Sequence, residues 1–201
     1  MPPQSPSETP PHRTARRAPR PLDRARLEEL ALAYVARFAV SAAKLEGYLR
    51  RKLRERGWDG EQHPGEPPVA ELVARFVRAG YVDDAAYARA KSGSLLRRGY
   101  GARRIGQALG AAGIAAEVRE EVRAGEGALR RAALAMARRR GFGPFGAVRA
   151  EGTLPQRELR EKQIAAMLRA GHPLDFAREL VNAADETAAE EWAAAPGDED
   201  E

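Results

Sequence analysis

Gly80-Tyr81-Val82-Asp83-Asp84-Ala85-Ala86-Tyr87-Ala88, and after it Arg98-Gly99-Tyr100-Gly101-Ala102-Arg103-Arg104-Ile105, is the stretch that decides the fold. A glycine closes one helix because it enters the left-handed conformation without penalty, and the aromatic side chain after it folds back on the last turn. Asp83 is then placed as the N-cap of the next helix, and paired arginines flank a second glycine stop. The punctuation recurs in Arg56-Gly57-Trp58, Ala112-Gly113-Ile114, Arg140-Gly141-Phe142 and Ala170-Gly171-His172. Short helices joined by tight stops pack as antiparallel neighbours, so the phrase is one copy of a repeat.

Between the stops, apolar residues keep helical spacing. Val69, Leu72, Val73, Phe76 and Val77 form the cleanest stripe; Leu27, Leu30, Ala31, Tyr34, Val35 and Phe38 form another. Leu45, Tyr48, Leu49 and Leu53 follow the same rule, as do Leu129, Ala132, Ala133, Met136 and Ala137. Weaker stripes at Tyr87/Ala90/Leu95, Ile105/Ala108/Leu109, Val118/Val122, Leu159/Ile164/Met167/Leu168 and Phe176/Leu180/Val181 bring the expected number of helices to nine. No stretch alternates at period two, so no sheet is expected. The reading is an all-α chain of three tandem three-helix units: 22–81 with a proline-rich loop at 59–68, then 82–124, then 126–184. A basic, proline-rich segment 1–21 is expected to be disordered, and 185–201 to be an acidic tail that begins as a helix end and finishes solvated in Pro196-Gly197-Asp198-Glu199-Asp200-Glu201.

The 201 residues carry a net charge of +5, which understates the body. Residues 22–184 hold 30 basic against 20 acidic side chains, while eight acids and no bases follow residue 184. A basic body suggests a polyanionic partner, although arginine in such excess over four lysines is also what a GC-rich genome writes. The absence of cysteine excludes disulfides and thiolate metal sites. With no secretory or membrane-spanning apolar run, a cytoplasmic protein is expected.

Enzymatic residues do not assemble. Ser41-Ala42-Ala43-Lys44 matches the Ser-x-x-Lys string of serine acyl-enzymes, but its partner motifs are missing and Ser41 sits where a helix cap belongs. Asp83-Asp84 is a carboxylate pair without further ligands for a metal; Asp83 caps a helix, and Asp84 is a candidate contact to a protein partner. His12, His63 and His172 share no ligand spacing, and no phosphate-loop glycine string occurs. No catalytic residue, metal or cofactor is assigned.

Arginine clusters are the remaining signal. Arg50, Arg51, Lys52 and Arg54 lie beside the Leu45/Leu49/Leu53 stripe. Arg97, Arg98, Arg103 and Arg104 bracket a glycine turn, where two helix ends are expected to bring four guanidinium groups near each other. Arg130, Arg131, Arg138, Arg139 and Arg140 ride the seventh helix. Guanidinium grips phosphate with parallel hydrogen bonds, although a charge run is more often only a solvated helix face. Nothing resembles a base-reading code, so contact with single- or double-stranded DNA is expected to be sequence-tolerant. Arg50, Arg51, Arg54, Arg97, Arg98, Arg103, Arg104, Arg138 and Arg139 are the candidate contacts.

The chain resembles the RecX family of bacterial regulators of the RecA recombinase. The resemblance is carried by Ala31-Leu32-Ala33-Tyr34-Val35-Ala36-Arg37 with Ser41, Leu45, Leu49, Leu53 and Gly57-Trp58, and by the central phrase with Leu109 and Gly113-Ile114. It covers about residues 27–118; the third unit fits only in helix order and in Leu168-Arg169-Ala170-Gly171. Tyr87 stands where the family more often has phenylalanine, the 59–68 loop looks inserted, and neither tail belongs to the family pattern. The resemblance implies a curved, elongated helical body that binds RecA–DNA filaments as a monomer. It also implies inhibition of ATP hydrolysis, strand exchange and co-protease activity. The alternative is a DNA-binding regulator using the helix pair 82–113 as a helix-turn-helix, without RecA.

Overall fold

The structure, a computed structural model, describes residues 20–59, 65–146 and 156–196. Residues 1–19 of the N-terminal segment, 60–64 of the loop 59–68, 147–155 and 197–201 lie outside it. Among the described residues the chain is all-α. The helices are α1 (Arg24–Val35), α2 (Ala42–Arg56), α3 (Val69–Arg78), α4 (Asp84–Arg97), α5 (Ala102–Gly110) and α6 (Ala116–Glu121). They continue as α7 (Glu126–Arg140), α8 (Gln156–Arg169), α9 (Leu174–Asn182) and α10 (Glu186–Ala194), with a 3-10 turn at Gly143–Phe145. The sole extended pairing described is one bridge, Leu22 to Trp58, which clasps the start of α1 to the end of α2.

Local chemistry sets the helix ends. Asp23, Ser41, Asp83 and Asp185 each accept the N–H three residues on, satisfying a donor that a helix start leaves open, worth about 1 kcal/mol apiece. All six glycine stops read from the sequence have positive φ, between 63° at Gly141 and 95° at Gly171.

Buried side chains gather in three clusters. The first holds Leu22, Leu27, Leu45, Leu49, Leu72 and Phe76. The second holds Ala88, Leu95, Ile105, Leu109, Ala112 and Ile114. The third holds Ala133, Met136, Met167, Phe176, Leu180 and Val181. Leu27, Leu45 and Leu49 are fully buried, each contributing about 1.5–3 kcal/mol of transfer free energy.

Two expectations need correction. The face that α4 buries is Ala88, Ser92 and Leu95, while Ala90 points outward. And the segment from Asp185, expected to be no more than a helix end ahead of an acidic tail, carries a full helix. It folds as α10, a tenth helix, whose Ala189 and Ala193 are buried and whose Trp192 packs edge-to-face on Phe176 at 5.1 Å. Its acids sit outward and its apolar residues inward, a pattern that a net-charge count over the segment hides.

The glycine stops are also the joints between units. Between the first and second, Ser41 Oγ donates to the Ala112 carbonyl at 2.6 Å, and Asp84 Oδ1 accepts the Ala42 N–H at 2.8 Å. Between the second and third, Gly101 N–H donates to the Ala170 carbonyl at 3.0 Å and Arg103 N–H to that of Gly171 at 3.3 Å. These backbones approach so closely that a Cβ on Gly101 would stand 2.3 Å from the Gly171 oxygen.

Candidate nucleic-acid interface

The arginines singled out from sequence divide into those already neutralised within the protein and those left open. On α2, Arg50 pairs with Glu46 at 2.6 Å and Arg51 with Glu55 at 3.8 Å. Glu55 also accepts from Lys52 at 2.6 Å. That hydrogen bond, with the positive charges of Lys52, Arg51 and Arg54, holds the Glu55 carboxyl below its ordinary range against a smaller opposing effect of desolvation. The α2 cluster is thus a mixed-charge face that salt screens readily. Arg54 is exposed and forms no ion pair among the described residues.

The bracket around Gly99 behaves differently from its sequence appearance. Arg97, Arg98, Arg103 and Arg104 are all exposed. Arg98 lies over the Tyr100 ring, 5.6 Å from its centroid. Arg103 reaches across the joint and donates to the Leu168 carbonyl at the end of α8. Arg97 faces a groove between α4 and α7, whereas Arg103 lines another groove, between α5 and α6. Arg97 and Arg103 therefore serve different grooves. The helix-end spacing read from sequence leaves open how α5 rotates against α4.

On α7, Arg138 pairs with Glu190 of α10 and lies 5.5 Å from the Phe145 ring centroid. Arg130 pairs with Glu126 and packs over Trp192, so it belongs to the third core. Arg139 and Arg140 are exposed. Arg131, which the candidate set omits, lines the groove that Arg97 faces. Asp84, expected to meet a partner, has one carboxylate oxygen on the Ala42 amide at the start of α2, an internal role that accounts for its position.

His172 sits at the second joint, 3% exposed, with Nε2 3.0 Å from the Gly99 carbonyl oxygen. That oxygen can only accept, so Nε2 carries the proton, and buried Nδ1 has no partner among the described residues. Burial pushes the imidazole below its ordinary value, opposed by the Gly99 hydrogen bond. Among the described residues no three His, Asp or Glu side chains converge as metal ligands, and no helix is long and apolar enough to cross a membrane.

Known proteins agree with this architecture. Residues 83–122 match the family described as RecX, second three-helix domain. A regulatory protein RecX from Myxococcus xanthus (strain DK1622) is 33% identical over 169 residues, covering 82% of this chain and 88% of that one. The crystal structure of RecX from Lactobacillus salivarius superposes with a TM-score of 0.59 at 14% identity, over 79% of this chain and 94% of that chain, a likeness of fold.

Proposed function

The chain belongs to the RecX family of regulatory proteins, and on that premise we propose that it binds RecA–DNA nucleoprotein filaments and restrains them. In this reading it is a monomeric, non-catalytic cytoplasmic regulator. It lowers RecA-dependent ATP hydrolysis, strand exchange and co-protease activity by occupying the filament. The observation that carries the reading is a tandem of helical units locked by hydrogen-bonded joints, with open guanidinium groups at Arg97, Arg98, Arg104 and Arg139. A rigid body pays its ordering entropy on folding, so an extended contact with a regular filament costs little further order. Phosphate-directed arginines supply affinity without reading sequence. Arg50, Arg51, Arg103 and Arg138 already hold partners within the chain and contribute less; Arg54 belongs with the open set.

The test is RecA-dependent ATP hydrolysis on single-stranded DNA, titrated with this protein below RecA stoichiometry. A graded fall supports the reading, and no effect at any ratio removes it. A preferred duplex sequence with no response to RecA would favour the helix-turn-helix alternative.

A further inference from the structure

We propose that Arg97 and Arg131 form a single clamp for one stretch of nucleic-acid sugar-phosphate backbone, laid across the boundary between the second and third units, with Gly93 and Gly127 as the seats of the two guanidinium groups. The clamp rests on the nucleic-acid part of the reading above and names the site where it acts. Three observations carry it. First, Arg97 of α4 and Arg131 of α7 line one groove, floored by Leu96, Ala128, Ala132 and Ala135. Second, both side chains lie back along their own helices over a glycine one turn earlier. A Cβ on Gly93 would meet the Arg97 Nη1 at 3.3 Å, and a Cβ on Gly127 would meet the Arg131 Nη1 at 3.3 Å. Third, neither guanidinium forms an ion pair among the described residues, in a chain where Arg24, Arg50, Arg75, Arg130, Arg138 and Arg157 all do.

Gly93 lies inside α4, where a glycine costs about 1 kcal/mol relative to alanine, and Gly127 lies in the first turn of α7; the two share a place beneath an open cation. With no side chain at the preceding turn, the guanidinium settles along the helix and presents its donor fork to the groove already ordered. The sequence writes the string Gly-x-Leu-x-Arg three times, in Gly47-Tyr48-Leu49-Arg50-Arg51, Gly93-Ser94-Leu95-Leu96-Arg97 and Gly127-Ala128-Leu129-Arg130-Arg131. In the first, nothing lies over Gly47 and Arg51 turns to Glu55. Only the second and third face one another. The groove volume of about 230 Å³ falls below the roughly 300–1,000 Å³ of small-molecule pockets. Its small apolar floor suits the flank of a sugar between phosphates and does not enclose a base.

The experiment is fluorescence anisotropy of the full chain, without RecA, on labelled oligo-dT, a mixed-sequence single strand and a duplex, over a series of salt concentrations. Arg97→Ala and Arg131→Ala should each weaken binding on all three probes and flatten the log-affinity against log-salt slope by about 0.7–0.9, and the pair by about twice that. Gly93→Ala and Gly127→Ala should leave the thermal midpoint unchanged or higher while weakening binding, a split that a merely structural glycine does not produce. Arg157→Ala, on α8 with a side chain 92% exposed, is the control and should leave the slope alone. An unchanged slope in Arg131→Ala, an equal loss in Arg157→Ala, or preference of the groove for an acidic peptide over DNA overturns the clamp. The salt slope decides the clamp whether or not the chain affects RecA, so the two readings fail separately.

Discussion

His172 Nε2 meets the carbonyl oxygen of Gly99 at 3.0 Å, across 73 residues of sequence and across the boundary between two helical units. Gly99 is the stop that ends α4, and His172 follows the stop that ends α8, so the two helix endings are fastened directly to each other. Titration of this imidazole therefore bears on how the second and third units hold together.

Acid should loosen that joint. The folded-state value of His172 is depressed below the ordinary 6.5, so its contribution is fully present above that pH and is lost as pH falls through the lower folded value. Carboxylates such as Glu28, whose hydrogen bond from Arg75 holds it below 4.5, lose their share only further down. Thermal melts between pH 7 and pH 5 should show a steeper fall for the native chain than for His172→Gln, which keeps a donor for Gly99 and does not titrate. Parallel curves would show that the imidazole is not the group responsible.

Gly101→Ala should be among the most damaging single changes in the chain. Its Cβ would stand 2.3 Å from the Gly171 oxygen and 2.5 Å from the His172 nitrogen, both backbone atoms that cannot swing aside. The loss should reach or exceed the about 1–3 kcal/mol of an overpacked core. Urea unfolding should show it, together with faster proteolysis between α8 and α9.

Ser41→Ala removes two bonds at once. Ser41 is fully buried; its hydroxyl donates to Ala112 and accepts the Lys44 N–H at 3.3 Å. The lost cap and the stranded carbonyl together should cost about 2–4 kcal/mol. Chemical denaturation measures it; a loss below about 1 kcal/mol would mean that the joint holds without the hydroxyl.

Truncation separates the two parts of the acidic C-terminal segment. Ending the chain at residue 196 should leave the melting temperature unchanged. Ending it at Asp185 removes α10 and exposes Phe176, for a loss of at least about 2 kcal/mol and a lower melting temperature. Calorimetry on the two truncations distinguishes packing from charge.

The helices, their caps and their stops were legible in the sequence because each depends on neighbours within a turn or two. Ser41 and Asp83 announce their helices by residue type and position, and a glycine before an aromatic announces a helix end. Helix α10 was legible only as a helix end, not as a packed helix: its alanines carry little hydrophobic signal, and the acids beside them dominate any composition count. Ser92 was missed for the related reason that a small polar side chain buried against alanine leaves no apolar mark.

The candidate interface divides along the same line. Sequence by itself determined that the chain is helical, punctuated by glycine and rich in arginine, because these are properties of residue type and short-range spacing. Only the tertiary structure decided which arginines are open. Arg50 meets Glu46 one turn away on its own helix, but whether Arg97 or Arg138 finds a carboxylate depends on side chains brought together by helix packing, and Arg138 finds Glu190 from 52 residues away. The facing of Arg97 and Arg131 likewise follows from the rotation of α7 against α4, which the close approach of Gly99 to Ala132 and Met136 fixes.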